Sequence, residues 1–271
     1  MTDPTERFSD RVDAYAAYRP AYPDAAADAV VRGIGPGCPA ADIGAGTGIS
    51  SVMLARRGVP VHAVEPNAPM REHGERYTAS LADASMAAIR WHAATGEHTG
   101  LPSGSVSLVL CAQSFHWLDP AAALTEFRRI LVPGGRVALV WNVHDTRDAM
   151  MADYRALVMR HAVDPPRSPW FSNSDCALGS DTGRSLGLVD FRRLEFENSQ
   201  TVDLAGLIGR AVSSSYMPRA GDARAAVEAE LTLLFNRYAS ADGAWGTPVV
   251  SLKYVCEVYM AESTRTNRGN P

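Results

Sequence analysis

The sequence predicts an α/β protein built on a doubly wound, mostly parallel sheet of seven strands. Two observations support this fold class. Strand-like apolar runs alternate with stretches of helical spacing over residues 40–141, and a glycine-rich loop directly follows the first run. Such alternation is typical of open sheets with helices on both faces, where ligands bind beyond the carboxyl ends of the strands. With 271 residues and 46% hydrophobic content, the chain can bury a full core.

Continuous apolar runs of this kind are typical of buried parallel strands. They predict five strands, at residues 40–43, 59–64, 89–93, 106–112 and 137–141. Helical spacing predicts helices at residues 50–57, 69–82 and 121–131. Pro133-Gly134-Gly135 should stop the third helix. Residues 192–201 and 249–260 are expected to supply the final antiparallel strands.

The glycine-rich loop reads Asp42-Ile43-Gly44-Ala45-Gly46-Thr47-Gly48. Glycines at alternate positions let the backbone turn sharply and approach a ligand without an intervening Cβ. A dinucleotide fingerprint would need a third glycine where Ile49 stands, and a triphosphate loop would need a lysine there. The pattern therefore predicts a cofactor loop that does not bind a pyrophosphate.

A second marker is the apolar run of residues 61–64, which ends in Glu65. An acid about 20 residues after a glycine loop is the place of a ribose-binding carboxylate in dinucleotide folds. Glu65 can accept hydrogen bonds from both ribose hydroxyls. The loop and the acid together predict a cofactor that contains a ribose.

Asp42-x-Gly44-x-Gly46-x-Gly48 resembles motif I of the class I S-adenosylmethionine-dependent methyltransferases. Over roughly residues 8 to 142, the chain resembles small-molecule methyltransferases of the ubiquinone-biosynthesis and trans-aconitate type. The later motifs behind this resemblance are Glu97-x-x-x-Leu101-Pro102, Gln113-x-x-His116-Trp117 and Glu126-x-x-Arg129-x-Leu131-x-Pro133-Gly134-Gly135.

The resemblance implies a Rossmann-like sheet, S-adenosylmethionine as cofactor and S-adenosylhomocysteine as product. It implies that Arg19 meets the methionine carboxylate and that Glu97 and its neighbours line the adenine. The cofactor-binding residues carried over are Tyr18, Arg19, Asp42, Gly44, Ala45, Gly46, Thr47, Gly48, Glu65, Pro66, Asn67, Met70, Thr95, Gly96, Glu97, Ala112 and Gln113.

Methyl transfer from a sulfonium is an in-line displacement of an activated methyl group, so the protein mainly aligns the acceptor and excludes water. The acceptor must eventually lose a proton, and a base that titrates near neutrality speeds that step. By its place in the motif order, His116 is the candidate base, and a purely structural role for it stays open. Tyr216 and His144 are weaker candidates.

Several aromatic side chains are candidates for an acceptor pocket that suits an aromatic or indole-like natural-product intermediate. The predicted substrate-binding residues are Tyr22, Phe115, His116, Trp117, Trp141, Trp170 and Tyr216. Core packing is the alternative for each aromatic. A small carboxylic acid is the second acceptor class, with Arg147, Arg210 or Arg219 as its anchor.

The predicted organisation has five parts. Residues 1–33 form an N-terminal helical lid, 34–145 the cofactor-binding core, and 146–185 a cap or lid insertion. Residues 186–262 complete the sheet and the acceptor pocket, and 263–271 form a disordered tail. Within the insertion, Asp164-Pro165-Pro166-Arg167 lacks the aromatic that DNA amino-methylating enzymes carry in their tetrapeptide, so a turn is predicted.

Composition favours small-molecule chemistry. The net charge is −4 and no run of Lys or Arg occurs, which argues against nucleic-acid or membrane partners. Four scattered cysteines indicate neither a metal site nor disulfides. We expect a cytoplasmic monomer or homodimer. Two alternatives from other classes remain, an NAD(P)-dependent oxidoreductase and a non-catalytic cofactor-binding module.

Overall fold

The structure is a computed structural model that describes residues 18–35, 37–81, 83, 85–163, 177–214 and 216–264. The predictions for most of the N-terminal lid, for Trp170, for the tetrapeptide at 164–167 and for most of the tail lie outside the described residues. Within the described ranges, no helix is both long and apolar enough to cross a membrane.

Seven strands form one sheet in the order β3-β2-β1-β4-β5-β7-β6. Their bounds are β1 (Ala40–Ile43), β2 (Val61–Val64), β3 (Ile89–His92), β4 (Val106–Ala112), β5 (Leu131–His144), β6 (Leu188–Val202) and β7 (Val250–Ser263). The first five strands are parallel to one another, while β7 runs antiparallel to both β5 and β6. This is the doubly wound, seven-stranded sheet that the sequence predicts.

Helices connect the strands and cover both faces of the sheet. Their bounds are α1 (Asp24–Val31), α2 (Ile49–Ala55), α3 (Ala68–Leu81), α4 (Pro120–Ile130), α5 (Ala149–Arg160), α6 (Asp181–Ser185), α7 (Leu204–Val212) and α8 (Gly221–Tyr238). Side chains alternate across β4, so Leu108 and Leu110 pack with α1 and α2, while Val109 and Cys111 pack with α4.

The largest difference from the predicted boundaries is at β5. Helix α4, which corresponds to the third predicted helix, ends at Ile130. Strand β5 then begins at Leu131, before Pro133-Gly134-Gly135, and not at residue 137 as predicted. Leu131 pairs with Val106 of β4, and the antiparallel pairing with β7 extends from Arg136 to His144. The strand is longer than its apolar run because these two neighbours continue the ladder beyond it.

Helices α5, α7 and α8 together form the cap. Their apolar side chains pack together with the first residues of β7. Register places the cap at the carboxyl ends of β5 and β6, because His144 pairs with Tyr254 and Val202 pairs with Val250. The cap therefore stands at the sheet edge where open α/β sheets bind ligands.

Candidate functional site

The glycine loop has a backbone that only glycine adopts easily. Gly44, Gly46 and Gly48 have φ values of +67°, +56° and +89°. A Cβ on Gly44 would lie 2.5 Å from the Cβ of Ser114, whose hydroxyl donates to the Ile43 carbonyl at 2.5 Å. The loop thus passes directly over the end of β4, with no room for a side chain between them.

The Glu65 carboxylate ties the loop to the end of β2. One oxygen accepts from the Gly46 amide at 2.9 Å, and the other accepts from the Asn67 amide at 2.8 Å. Glu65 is buried, and burial is the main reason that its pKa is raised above the usual range. Each carboxylate oxygen keeps a further lone pair that a ligand hydroxyl can use.

Asp42 lies fully buried beneath the loop. The Ser50 and Ser51 hydroxyls both donate to Oδ2, at 2.7 Å and 2.6 Å. Burial raises the pKa of Asp42 from 3.8 to about 6, against the opposing effect of these two hydrogen bonds. Asp42 Oδ1 and the buried Thr47 hydroxyl have no hydrogen-bond partner among the described residues. Two unsatisfied polar atoms at one loop fit a site for a polar ligand.

The leading segment, residues 18–23, is held against the sheet by side chains of β5 and β6. Asn142 and Asn198 both donate to the Ala21 carbonyl, at 3.3 Å and 2.8 Å. Gln200 donates to the Tyr18 carbonyl at 3.2 Å. These bonds fix the segment that carries Arg19 beside the glycine loop.

A cleft, here called the loop cleft, opens between the leading segment, the glycine loop and the end of β4. Its lining is Arg19, Pro20, Tyr22, Gly44, Ala45, Thr47, Ile49, Ser50, Ala112 and Gln113. Gln113 is one of two described non-glycine residues with positive φ, at +61°. Its side chain donates to the Asn142 carbonyl at 3.3 Å, which holds the turn after β4 against β5.

The residues expected at the adenine end follow β2 and β3. Asn67 accepts from the Met70 amide at 2.9 Å and so starts α3, and Met70 is buried towards Gly46. Glu97 accepts from the Asp119 amide at 3.0 Å, which links this region to the start of α4. Pro66 and Thr95 are half-buried, whereas Gly96 is buried against Ile43 and Leu118.

His116 lies in a single helical turn, Phe115–Trp117, directly after β4. Its ring centroid is 4.6 Å from that of Trp117. Burial, and secondly the positive charge of Arg19, lowers the pKa of His116 from 6.5 to about 4. The imidazole is therefore neutral at neutral pH.

Two of the predicted acceptor-pocket aromatics, Phe115 and Trp141, lie in the hydrophobic core, the alternative considered for each aromatic. Phe115 and Trp141 are buried on the α4 face of the sheet, where Phe115 packs with Phe127 and Trp141 with Tyr259. Trp141 points away from the neighbouring Asn142 because side chains alternate along β5. The described residues Tyr22 and Trp117 are half-buried, and Tyr216 is buried.

The three candidate arginine anchors differ sharply in environment. Arg147 is exposed and pairs with Asp145 at 2.7 Å, and Arg219 is also exposed. Arg210, on α7, is only 5% exposed and donates through Nε to the Tyr254 hydroxyl at 3.2 Å.

Two residues that accompany Arg210, Tyr154 and Tyr254, were not predicted from the sequence. Both are fully buried, and the His144 ring lies 5.5 Å and 5.7 Å from theirs. Arg210, Tyr154 and Tyr254 are far apart in sequence. Strand register, which pairs Tyr254 with His144, is the one signal that relates this group to the end of β5.

Neither cysteine nor metal chemistry is indicated within the described part of the chain. Cys38, Cys111 and Cys256 are free thiols, the last two of them buried. Burial raises the pKa of Cys256 to about 12. In the ranges that the structure describes, no group of three or more His, Cys, Asp or Glu side chains could hold a metal ion.

Comparison with solved structures defines the class of the fold. The YcgJ protein of Bacillus subtilis superposes with a TM-score of 0.56 at 16% identity, covering 89% of this chain and 99% of that protein. Phosphoethanolamine N-methyltransferase 2 of Haemonchus contortus superposes with a TM-score of 0.56 at 15% identity, covering 97% of this chain and 59% of the enzyme. The fold is that of the Rossmann-like class I methyltransferases.

Sequence comparison finds a family match in the core. Residues 41–139 match the family described as "Methyltransferase domain". An uncharacterized methyltransferase of Mycobacterium bovis is 37% identical over 168 residues, which are 59% of this chain and 61% of that relative. The match therefore spans less than two thirds of the relative. The ubiquinone-biosynthesis or trans-aconitate subtype stays a prediction.

Proposed function

We propose that this protein transfers a methyl group from S-adenosylmethionine to a small molecule. The observation that carries the proposal is the closure of the glycine loop by Glu65, next to a cleft that also contains Arg19. One buried carboxylate and one arginine match a ligand with a ribose diol and a carboxylate. The methyltransferase-domain match over residues 41–139 supports the same cofactor.

The residues present fit this cofactor. Gly44, Ala45 and Thr47 line the loop cleft, and the Thr47 hydroxyl, which has no hydrogen-bond partner among the described residues, offers a polar contact. We assign Arg19 to the methionine carboxylate and Glu65 to the ribose hydroxyls. The adenine region is assigned to Asn67, Met70, Thr95, Gly96 and Glu97. When bound, the sulfonium supplies a methyl group that is already activated.

The chain's own residues then have to position the acceptor and manage one proton. His116 is proposed as the general base, with Tyr216 as a second polar group at the acceptor. With a pKa of about 4, a neutral imidazole is a weak base. It is suited to a proton that becomes strongly acidic once the methyl group has arrived. A ring carbon, an aromatic amine and a hydroxyl all meet this description.

For the acceptor, we propose an aromatic or indole-like natural-product intermediate, with a small carboxylic acid as the second class. Tyr22 in the loop cleft and Trp117 beside His116 offer flat apolar surfaces near the proposed reaction centre. With Phe115 and Trp141 in the core, fewer aromatics support a purely aromatic pocket than the sequence suggests.

Calorimetry tests the cofactor directly. S-adenosylhomocysteine, NADH and NADPH are titrated separately into the purified protein. Saturable binding of S-adenosylhomocysteine alone is the expected result. Binding of a reduced nicotinamide alone would replace the proposal by an oxidoreductase.

Turnover then tests catalysis. Protein that binds the cofactor is incubated with methyl-labelled S-adenosylmethionine and aromatic acceptors, and label transfer is followed. Transfer to an acceptor supports the proposed reaction. Binding without transfer to any aromatic or carboxylic acceptor would favour a non-catalytic module.

A further inference from the structure

Arg210 is a buried cation without a described anionic partner. Arg210 is 5% exposed, and its one hydrogen bond to the described residues is donated by Nε to the Tyr254 hydroxyl. No described carboxylate pairs with it, and its two Nη atoms donate to no described group. The guanidinium also lies over the Tyr254 ring, with Cζ 5.9 Å from the ring centroid.

Such a burial is costly unless something compensates it. A guanidinium loses strong hydration when it is buried, and proteins normally offset this loss with a carboxylate or a full set of acceptors. Arg210 has five N–H donors, of which one is used within the described chain. The remaining donors form a planar fork of the kind that binds a carboxylate through two parallel hydrogen bonds.

The place of Arg210 in the fold agrees with a ligand role. It lies on α7 of the cap, and Tyr254, which accepts its hydrogen bond, pairs with His144 at the carboxyl end of β5. His144 is partly accessible, although two tyrosine rings pack against it. Arg19 of the loop cleft donates to the Ser213 carbonyl at the end of α7, at 3.5 Å, so the cap and the loop cleft adjoin.

We propose that Arg210 binds a carboxylate of the methyl acceptor, which makes the substrate a carboxylic acid with an apolar or aromatic body. The inference rests on the proposed function, because it assigns the acceptor side of that same site. Tyr254 orients the guanidinium by accepting from Nε, and the cap supplies apolar surface around it. A singly charged carboxylate matches the single buried guanidinium better than a doubly charged phosphate ester does.

The first test is stability without any acceptor. In Arg210→Met the neutral side chain has similar length, so we expect the melting temperature to be unchanged or higher than that of the wild type. A cation kept for a ligand destabilises the free protein, whereas a structural cation stabilises it. A lower melting temperature would therefore overturn the proposal. Arg147→Met, at the exposed ion pair, is the matched control.

The second test is binding of benzoate to protein saturated with S-adenosylhomocysteine, measured by calorimetry. We expect Arg210→Met to weaken benzoate binding about tenfold or more, which is the usual effect of losing hydrogen bonds to a charge. Arg210→Lys keeps the charge but loses the fork, so it should weaken binding less. Equal benzoate affinity in wild type and Arg210→Met would overturn the proposal.

Two further ligands separate charge from shape. Benzamide, which is neutral, should bind wild type and variant equally weakly. Phenyl phosphate binding more tightly than benzoate, with the same dependence on Arg210, would replace the carboxylate by a phosphate. Affinity for S-adenosylhomocysteine should stay within about twofold in every variant. If the wild type itself did not bind S-adenosylhomocysteine, the proposed function would be contradicted instead.

Discussion

The Glu65 carboxylate accepts a 2.9 Å hydrogen bond from the Gly46 amide, 19 residues earlier in the chain. This one contact joins the two sequence markers, the glycine loop after β1 and the acid after β2. It also restrains the shape of the loop, because a buried carboxylate oxygen holds one of its amides.

Gly46→Arg should abolish binding of S-adenosylhomocysteine while leaving the protein folded. Gly46 has φ +56°, which strains any other residue, and a Cβ there would lie 3.4 Å from Cε of Met70, so an arginine would crowd the proposed adenine region. Calorimetry measures the binding, and circular dichroism checks the fold. Gly58→Arg is the matched control, since Gly58 has φ +76° with nothing within 4 Å. Unchanged affinity in Gly46→Arg would contradict the loop assignment.

Glu65→Ala should weaken S-adenosylhomocysteine binding by about tenfold or more, a smaller loss than in Gly46→Arg. The variant removes an acceptor for ligand hydroxyls and the anchor of the Gly46 amide, each of which involves a charged group. Calorimetry compares it with Glu72→Ala, an exposed glutamate on α3. If both variants bound as the wild type does, Glu65 would have no part in the site.

Asp42→Asn should stabilise the protein at pH 7 but not at pH 4. The pKa of Asp42 is raised from 3.8 to about 6, so the folded chain holds a proton that the unfolded chain has lost between these values. Stability of the wild type therefore falls as pH rises through this window, by roughly 3 kcal/mol in total. An asparagine carries no charge and lacks this dependence, while its oxygen can still accept from Ser50 and Ser51.

Chemical denaturation at pH 4, 5, 6 and 7 measures the difference between Asp42→Asn and wild type. The exposed Asp242→Asn serves as control and should show no such trend. A variant that is less stable than the wild type at pH 7, and equally so at every lower pH, would show that the ionised carboxylate is not penalised by its burial.

His116→Gln should lower kcat by about a hundredfold or more, the usual contribution of a positioned base, with S-adenosylhomocysteine affinity nearly unchanged. The base works when neutral. With a pKa of about 4, the wild-type rate should rise with pH through that value and be flat above pH 5 as far as His116 is concerned. Rate measurements from pH 4 to 8 test both points. Equal rates in His116→Gln and in the exposed control His98→Gln would leave His116 a structural role.

Local patterns determined the cofactor half of this protein. The predicted runs of four to seven residues became β1 to β4 with small changes of boundary. The central strands β1 and β4 are buried almost throughout and so need continuous apolar side chains, whereas the edge strand β3 is only half-buried. The glycine loop and Glu65 were recognisable because each is set by its own neighbours in the chain. Their spacing alone then predicts that both lie at the carboxyl edge of the sheet.

The acceptor half was decided by tertiary structure. Whether Trp141 faces a pocket or the core depends on which face of β5 meets α4, and a single aromatic residue does not reveal this. Arg147, Arg210 and Arg219 look equivalent in the sequence, yet burial singles out Arg210. Its neighbours come from α5, β5 and β7, and long-range packing and register bring them together. A local sequence pattern reveals neither this packing nor this register, because burial and charge compensation are properties of the assembled fold.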